Sequence, residues 1–393
     1  MQRALEGIKV VEIGHYIAGP YCAQLLADMG ADVIKVERPG GEAARDFGPY
    51  INEESTYFTS YNRNKRSITI NFKSEEGRAV FRRLLEKADV VIENQRPGFL
   101  AKMGFSYEDI SAFNPGIIMT AISGYGQTGP YAKRPALDMI MQGVGGLMAM
   151  TGFPESPPTK AGVAIADFLS AMYAAMGTVI ALYSRKETGK GQIVDVAMLD
   201  SLFTILENWP AMNKMAGFIP PRVGNSRVVT GPSNAYPTSD GYVYIAAVAN
   251  QHFAILAKEI GHPELADDPE LATSALRKKA QTKLDTLIEA WTKNKTTKDV
   301  FNRLSDLGIT AGPVNSIPDL VKDEQIHRRE MLIEMRHPKI ENLTMIGNPM
   351  KLSTTPPQYI TPPPTVGQHT VEILQELGFT EDGLEKMLQT AVQ

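Results

Sequence analysis

The first half of the chain alternates between two apolar rhythms. Short runs at 8–13, 32–36, 88–92 and 116–122 read as buried strands, and 67–72 alternates apolar with polar. Between them, 18–29 and 75–87 carry helical spacing, the first stopping at Gly30. Strands separated by helices predict a parallel sheet covered on both faces, with ligands bound beyond the carboxyl ends of the strands. A stretch over 168–185 is apolar nearly all round and predicts a buried helix. The turn Thr188-Gly189-Lys190-Gly191 leads from it into a strand over 192–198, and helical sequence continues to about 216. A region rich in Pro, Gly and Asn (217–237) reads as a linker, followed by a strand at 241–247 and a charged, helix-rich stretch at 251–307. Prolines 356, 357 and 362–364 mark an extended crossing segment, and two short helices are expected over 365–377 and 382–389. The resulting layout is a large α/β domain at 1–216, a linker at 217–237, a smaller α+β domain at 238–322 and a C-terminal segment at 323–393 that returns to the large domain.

Composition narrows the function classes. The 393 residues are 43% hydrophobic with a net charge of -4, which gives core enough for two domains and no basic excess for nucleic acid. A single cysteine, Cys22, excludes an intrachain disulfide and fits a reducing, cytoplasmic location; its helical setting reads as a buried structural thiol. Neither a signal-like start nor a run of apolar residues long enough for a membrane span is evident. After the first strand, Gly14-His15-Tyr16-Ile17-Ala18-Gly19-Pro20 is not the dinucleotide fingerprint, and there is no phosphate-binding P-loop and no serine elbow. The six histidines are scattered without metal-ligand spacing, so no metal site is expected.

Five polar clusters remain. Lys35-Val36-Glu37-Arg38-Pro39-Gly40-Gly41 ends the second strand, where a cation beside glycines suits a phosphate or an exposed charged turn. Asn62-Arg63-Asn64-Lys65-Arg66-Ser67 reads either as a phosphate site or as a solvated loop. Asn94-Gln95-Arg96-Pro97-Gly98 follows another strand. Ser123 to Tyr131 carries three glycines that let backbone amides approach a ligand, or simply turn over the sheet edge. Asp167, at the start of the apolar helix, is either an N-cap or a poorly hydrated carboxylate poised as a nucleophile toward a thioester. The methionines at 139, 141, 148 and 150, with Trp209 and Tyr125, line an acyl pocket or pack the core.

In this order the motifs resemble the class III CoA-transferases, the family of formyl-CoA transferase and carnitine CoA-transferase. The resemblance is carried by Leu5-Glu6-Gly7-Ile8-Lys9-Val10, Ala18-Gly19-Pro20, Ala31 to Glu37, Asn64 to Ser67, Ala88 to Asn94, Met103-Gly104-Phe105, Asn114-Pro115, Ser123 to Pro130 and Gly189 to Gln192. It implies that Asp167 is the catalytic nucleophile. It also implies that Arg38, Ile70, Asn71, Phe72, Lys73, Asn94, Gln95, Arg96 and Lys102 contact coenzyme A, with Asp138 placed near substrate or Asp167. The implied fold is a Rossmann-like large domain with a smaller one, in a homodimer of interlocked rings. Coenzyme A and acyl-CoA enter as substrates with a carboxylic acid, no cofactor is held permanently, and no membrane or nucleic acid partner is implied. Ile17 stands where formyl-CoA transferase has glutamine, and the glycine-rich loop that covers the nucleophile there is missing before Gly241. Gly224-Asn225 and Thr230 to Ser233 are then the candidates for a lid, and oxalate and formate are disfavoured as substrates. An α-methylacyl-CoA racemase would need a histidine where Ala136-Leu137-Asp138 has Leu137. A CoA-binding module without turnover is the remaining alternative.

Overall fold

The computed structural model describes residues 3–379, so the helix expected over 382–389 lies outside the described residues. The chain divides into two compact units, one of Met1–Gly145, Gly162–Ile205 and Glu324–Gln393, the other of Gly146–Ala161 and Leu206–Asp323.

The first unit is built on a six-stranded sheet. Its strands are β1 (Lys9–Ile13), β2 (Asp32–Glu37), β3 (Lys65–Thr69), β4 (Val90–Glu93), β5 (Ile118–Ser123) and β6 (Ile193–Ala197). All neighbours are parallel, and the order β3-β2-β1-β4-β5-β6 reverses between β1 and β4. That is the Rossmann arrangement, whose crevice opens where the order reverses. The alternating stretch read at 67–72 is shifted: β3 ends at Thr69, and 70–74 is a turn closed by Ser74 N–H on the Asn71 carbonyl at 3.1 Å.

One face of the sheet packs Val11, Ile13, Val91 and Met119 against Phe81, Leu84 and Leu85 of helix Glu75–Lys87. That helix forms where expected because its apolar positions share one side and the Ser74 hydroxyl accepts the Gly77 N–H at 3.0 Å. The other face packs Val10, Val33, Ile92 and Ile118 against α1 (Ala18–Asp28) and α2 (Ile165–Thr188). Cys22 is fully buried there, and burial pushes its thiol up, as a structural thiol requires.

Helix α2 departs from expectation. Its inner side (Ala171, Ala174, Thr178 and Ala181) is buried, yet Met172, Met176, Ile180 and Tyr183 are exposed, Tyr183 at 72%. Leu137, Ile140 and Val144 of the first unit are exposed as well. The helix is long and apolar enough to cross a membrane, but its small-residue side is packed on the sheet.

The proline-rich crossing segment runs along the open edge of β3. Asn64 N–H donates to the Thr361 carbonyl at 2.9 Å, Gly367 N–H donates to Ser67 Oγ at 2.9 Å, and His369 N–H donates to the Ser67 carbonyl at 2.9 Å. Helix Thr370–Glu376 follows, shorter than the stretch read over 365–377.

The second unit has a three-stranded antiparallel sheet in the order Thr310–Pro313, Tyr242–Ala246, Ser233–Pro237. Ser233–Pro237 therefore forms a strand inside the stretch read as a linker. Val243, Ile245, Leu256, Ile288, Val300 and Leu304 form its core.

Candidate active site

The strands of a parallel sheet all end at the same edge, so the segments after β1 to β5 converge there. Arg38 follows β2, Ile70 to Lys73 follow β3, Asn94 to Arg96 follow β4, and Lys102 lies in the turn Ala101–Met103 beyond it. The topology thus gathers every residue expected to contact coenzyme A at one edge, flanking the point where the strand order reverses.

Their side chains differ in availability. Arg38, Lys73, Arg96 and Lys102 are exposed cations. Ile70 is 1% exposed and belongs to the core, and Phe72 packs against it, so these two can offer a ligand little but backbone. Asn71 shapes the turn, its Oδ1 accepting Lys73 N–H at 3.0 Å. Asn94 grips the peptide of His15 from both sides: Oδ1 accepts its N–H at 2.9 Å and Nδ2 donates to its carbonyl at 2.9 Å. Gln95 Nε2 reaches the Ile13 carbonyl and His15 Nδ1, each at 3.1 Å. Both amides therefore clamp the loop after β1.

In two of the cationic clusters, Lys35, Lys65 and Arg63 are spent on buried ion pairs, whereas Arg38 stays exposed. Lys35 and Lys65 are fully buried and share Glu12, at 2.9 and 3.0 Å. Lys35 also pairs with Glu42 at 2.9 Å, while Glu37 takes Arg45 at 2.7 Å and Arg63 pairs with Asp28 at 2.7 Å. Burial opposes ionisation of Glu12, but the two lysines outweigh it and hold its carboxyl below the usual range. Burial, opposed by Glu12 and reinforced by Lys35, brings Lys65 down to about 8. Lys35 is tied to Glu42 after β2, whereas Arg63 and Asp28 precede β3 and β2 and sit at the opposite, amino ends of the strands.

The glycine loop after β5 is also partly committed. Gly126 N–H donates to Ser123 Oγ at 3.0 Å, and Gln127 N–H donates to Asp195 at 3.0 Å, so neither amide is free for a ligand. Gly124 leaves no room for a side chain, since a Cβ there would sit 2.1 Å from that of Ala136. The loop leads to Leu137, which is exposed and offers no imidazole, and then to Asp138.

Asp138 and Asp167 come together. Asp167 is not the N-cap but lies in the first turn of α2, whose cap residue Ala164 offers no side-chain bond. Asp138 supplies the missing acceptor, with Oδ1 taking Ala166 N–H at 2.8 Å and Asp167 N–H at 3.4 Å. Gln142 Nε2 holds Asp138 Oδ2 at 2.6 Å. Asp167 is half-buried; its burial and, second, the charge of Asp138 push its carboxyl up to about 7.

A chain of aromatic rings that the sequence reading passed over starts at Phe168, the residue after Asp167. Phe168 meets Tyr21 at 5.1 Å and Tyr61 at 5.8 Å. Tyr61 meets Tyr57, Tyr57 meets Phe47, and Phe47 meets Tyr16, at 5.7, 5.9 and 5.4 Å. Burial and then the Asp167 charge raise both Tyr57 and Tyr61, which places their hydroxyls in the field of Asp167. The spacing Tyr57-x-x-x-Tyr61 was the available signal. His15 is held neutral, its pKa lowered to about 4 by burial and by Lys35.

The methionines do not form one cluster: Met141 is buried, Met139 is 53% exposed, and Met148 and Met150 belong to the second unit. Tyr125 meets Tyr131, and Trp209 stacks on Phe218 within the second unit. The lid candidates are fastened inside the second unit, Gly224 N–H to the Gly152 carbonyl at 3.0 Å and the Gly231 carbonyl to buried Arg277 at 3.1 Å. Among the described residues no group of His, Cys, Asp or Glu is placed to hold a metal ion.

Comparison with known proteins gives a consistent result. A sequence profile described as CoA-transferase family III matches residues 5–370. The chain is 40% identical to succinyl-CoA–D-citramalate CoA-transferase of Chloroflexus aurantiacus over 98% of its length and 97% of that protein's. It is 37% identical to mouse succinyl-CoA:glutarate CoA-transferase, covering 99% of this chain and 90% of the relative. A crystal structure of a CAIB/BAIF family protein from Brucella suis superposes with a TM-score of 0.87 at 38% identity, covering 96% of this chain and all of that one (100%).

Proposed function

We propose that this chain, which belongs to CoA-transferase family III and transfers coenzyme A between an acyl-CoA and a carboxylic acid, does so with Asp167 as its covalent nucleophile. The observation that carries the assignment is the Asp167 carboxylate itself, half-buried in the first turn of α2 beside the capping Asp138 and pushed up to about 7, chiefly by burial.

Asp167 attacks the thioester carbonyl, forming a mixed anhydride and expelling the CoA thiolate. The thiolate attacks the aspartyl carbonyl, releasing the donor acid and leaving an aspartyl-CoA thioester. The acceptor carboxylate attacks that thioester, giving a second anhydride and thiolate. The thiolate then takes the new acyl group and restores Asp167. Thioester free energy is conserved, so no ATP is spent. The aromatic chain excludes water that would hydrolyse the anhydrides. Exposed Arg38, Lys73, Arg96 and Lys102 supply positive charge for the CoA phosphates at the strand ends.

The relatives named above act on succinyl-CoA with citramalate or glutarate, and we assign the same class, a succinyl donor and a dicarboxylic acceptor, to this chain. The apolar stripe of α2 (Met172, Met176, Ile180 and Tyr183) supports a homodimer, since a monomer would leave it in water.

Incubating the protein with succinyl-CoA and a panel of mono- and dicarboxylic acids tests the reading. Dicarboxylates should be preferred, hydroxylamine should trap an adduct at Asp167, and Asp167→Ala should reduce turnover by about a thousandfold or more. A correctly folded Asp167→Ala variant that retained turnover would refute the nucleophile.

A further inference from the structure

The loop Gly14-His15-Tyr16 is held by side chains from three directions. Gly14 N–H donates to Glu12 Oε1 at 2.9 Å, His15 N–H to Asn94 Oδ1 at 2.9 Å, and Tyr16 N–H to Glu42 Oε2 at 3.0 Å. Tyr16 has φ +61°, a region that side-chain-bearing residues avoid. Glu42 comes from the turn after β2 and is 6% exposed, its other oxygen 2.9 Å from Lys35 Nζ. Lys35 in turn reaches the Gly14 carbonyl at 3.2 Å. Burying this carboxylate close to Glu12 and Glu37 is unfavourable, and a shorter or apolar residue would avoid that cost.

We propose that Glu42 is a positioning residue for acyl transfer, holding Tyr16 in its left-handed conformation and so setting the loop at one end of the aromatic chain whose other end is Phe168, beside Asp167. The inference rests on the Asp167 reading. The loop controls two parts of the site. The Tyr16 ring meets His15 at 4.8 Å and Phe47 at 5.4 Å, and Phe47 leads to Tyr57, which feels the charges of both Asp167 and Glu42. The next residues open α1, whose first turn has no side-chain cap and which bears Tyr21 against Phe168, the neighbour of Asp167. Rotating the Tyr16 peptide out of the left-handed region would therefore shift the aromatic chain and the amide-bearing end of α1 together, relative to the nucleophile.

Two substitutions separate this role from simple charge balance. Glu42→Gln keeps the reach and an oxygen for the Tyr16 N–H but removes the charge opposite Lys35. Glu42→Asp keeps the charge but is one methylene short of the loop. If Glu42 positions the loop, Glu42→Asp slows formation of the hydroxylamine-trapped adduct by about tenfold or more with KM for acyl-CoA within about twofold. Glu42→Gln then retains the adduct rate within about threefold although it melts at a lower temperature. Activity that follows melting temperature in both variants, or an Asp variant as fast as the unsubstituted protein, overturns the proposal. Absence of any trapped adduct in the unsubstituted protein overturns the Asp167 reading and this one with it.

Discussion

Asp167 shares its immediate surroundings with a second carboxylate, Asp138, which caps the same helix end. Burial contributes more than Asp138 to raising Asp167 to about 7. Adduct formation from acyl-CoA should therefore increase with pH through a midpoint near 7, because only the ionised form attacks. Asp138→Asn retains an oxygen for the Ala166 N–H but removes the charge, so the midpoint should fall without reaching the ordinary 3.8. Single-turnover rates across pH measure this directly. Stability runs in the opposite sense. The folded state binds the Asp167 proton more tightly than the unfolded chain, so a penalty on folding grows as pH rises from 3.8 to about 7, is complete above that and is absent below 3.8. Asp167→Asn should accordingly raise the melting temperature at pH 8, with the gain vanishing as pH falls toward 3.8.

Among the elements, the end of α2 and the start of β6 show how a short motif encodes geometry. Gly189 takes φ +68° and closes the helix by donating to the Arg185 carbonyl at 2.8 Å. Gly191 has an ordinary φ, but a Cβ there would lie 1.7 Å from the Ile117 carbonyl oxygen. Gly191→Ala should separate β6 from β5 and cost about 3 kcal/mol or more, read as a lowered denaturant midpoint. The glycines, the helix Glu75–Lys87 and the strand sequence of the sheet were legible because each is a local pattern. Lys35, Lys65 and Arg63 were misread because charged residues next to turns look solvated; only the tertiary fold supplies Glu12, Glu42 and Asp28 to pair them. Asp167 was recognised as a helix-start carboxylate, but its cap comes from Asp138, 28–29 residues earlier, where no spacing rule reaches. Helix α2 looked wholly internal because its exposed apolar face has the same composition as one turned toward a core.

For the whole molecule, that outward stripe carries the assembly prediction. Ile180 and Tyr183 are 60% and 72% exposed in the single chain. The paired change Ile180→Asp and Tyr183→Asp should shift the protein in sedimentation from dimer to monomer or leave it aggregated, whereas an unchanged dimer would place the interface elsewhere. A separate demand comes from the C-terminal segment along β3. Ser67 waits for Gly367, 300 positions later in the chain, the reverse of a local hairpin. During synthesis, the open flank of that strand must stay unpaired until the ribosome has released the segment around Gly367. The nascent protein thus passes through a long interval with a sticky margin, and its yield in a cell should depend on chaperone supply more than its final stability would indicate.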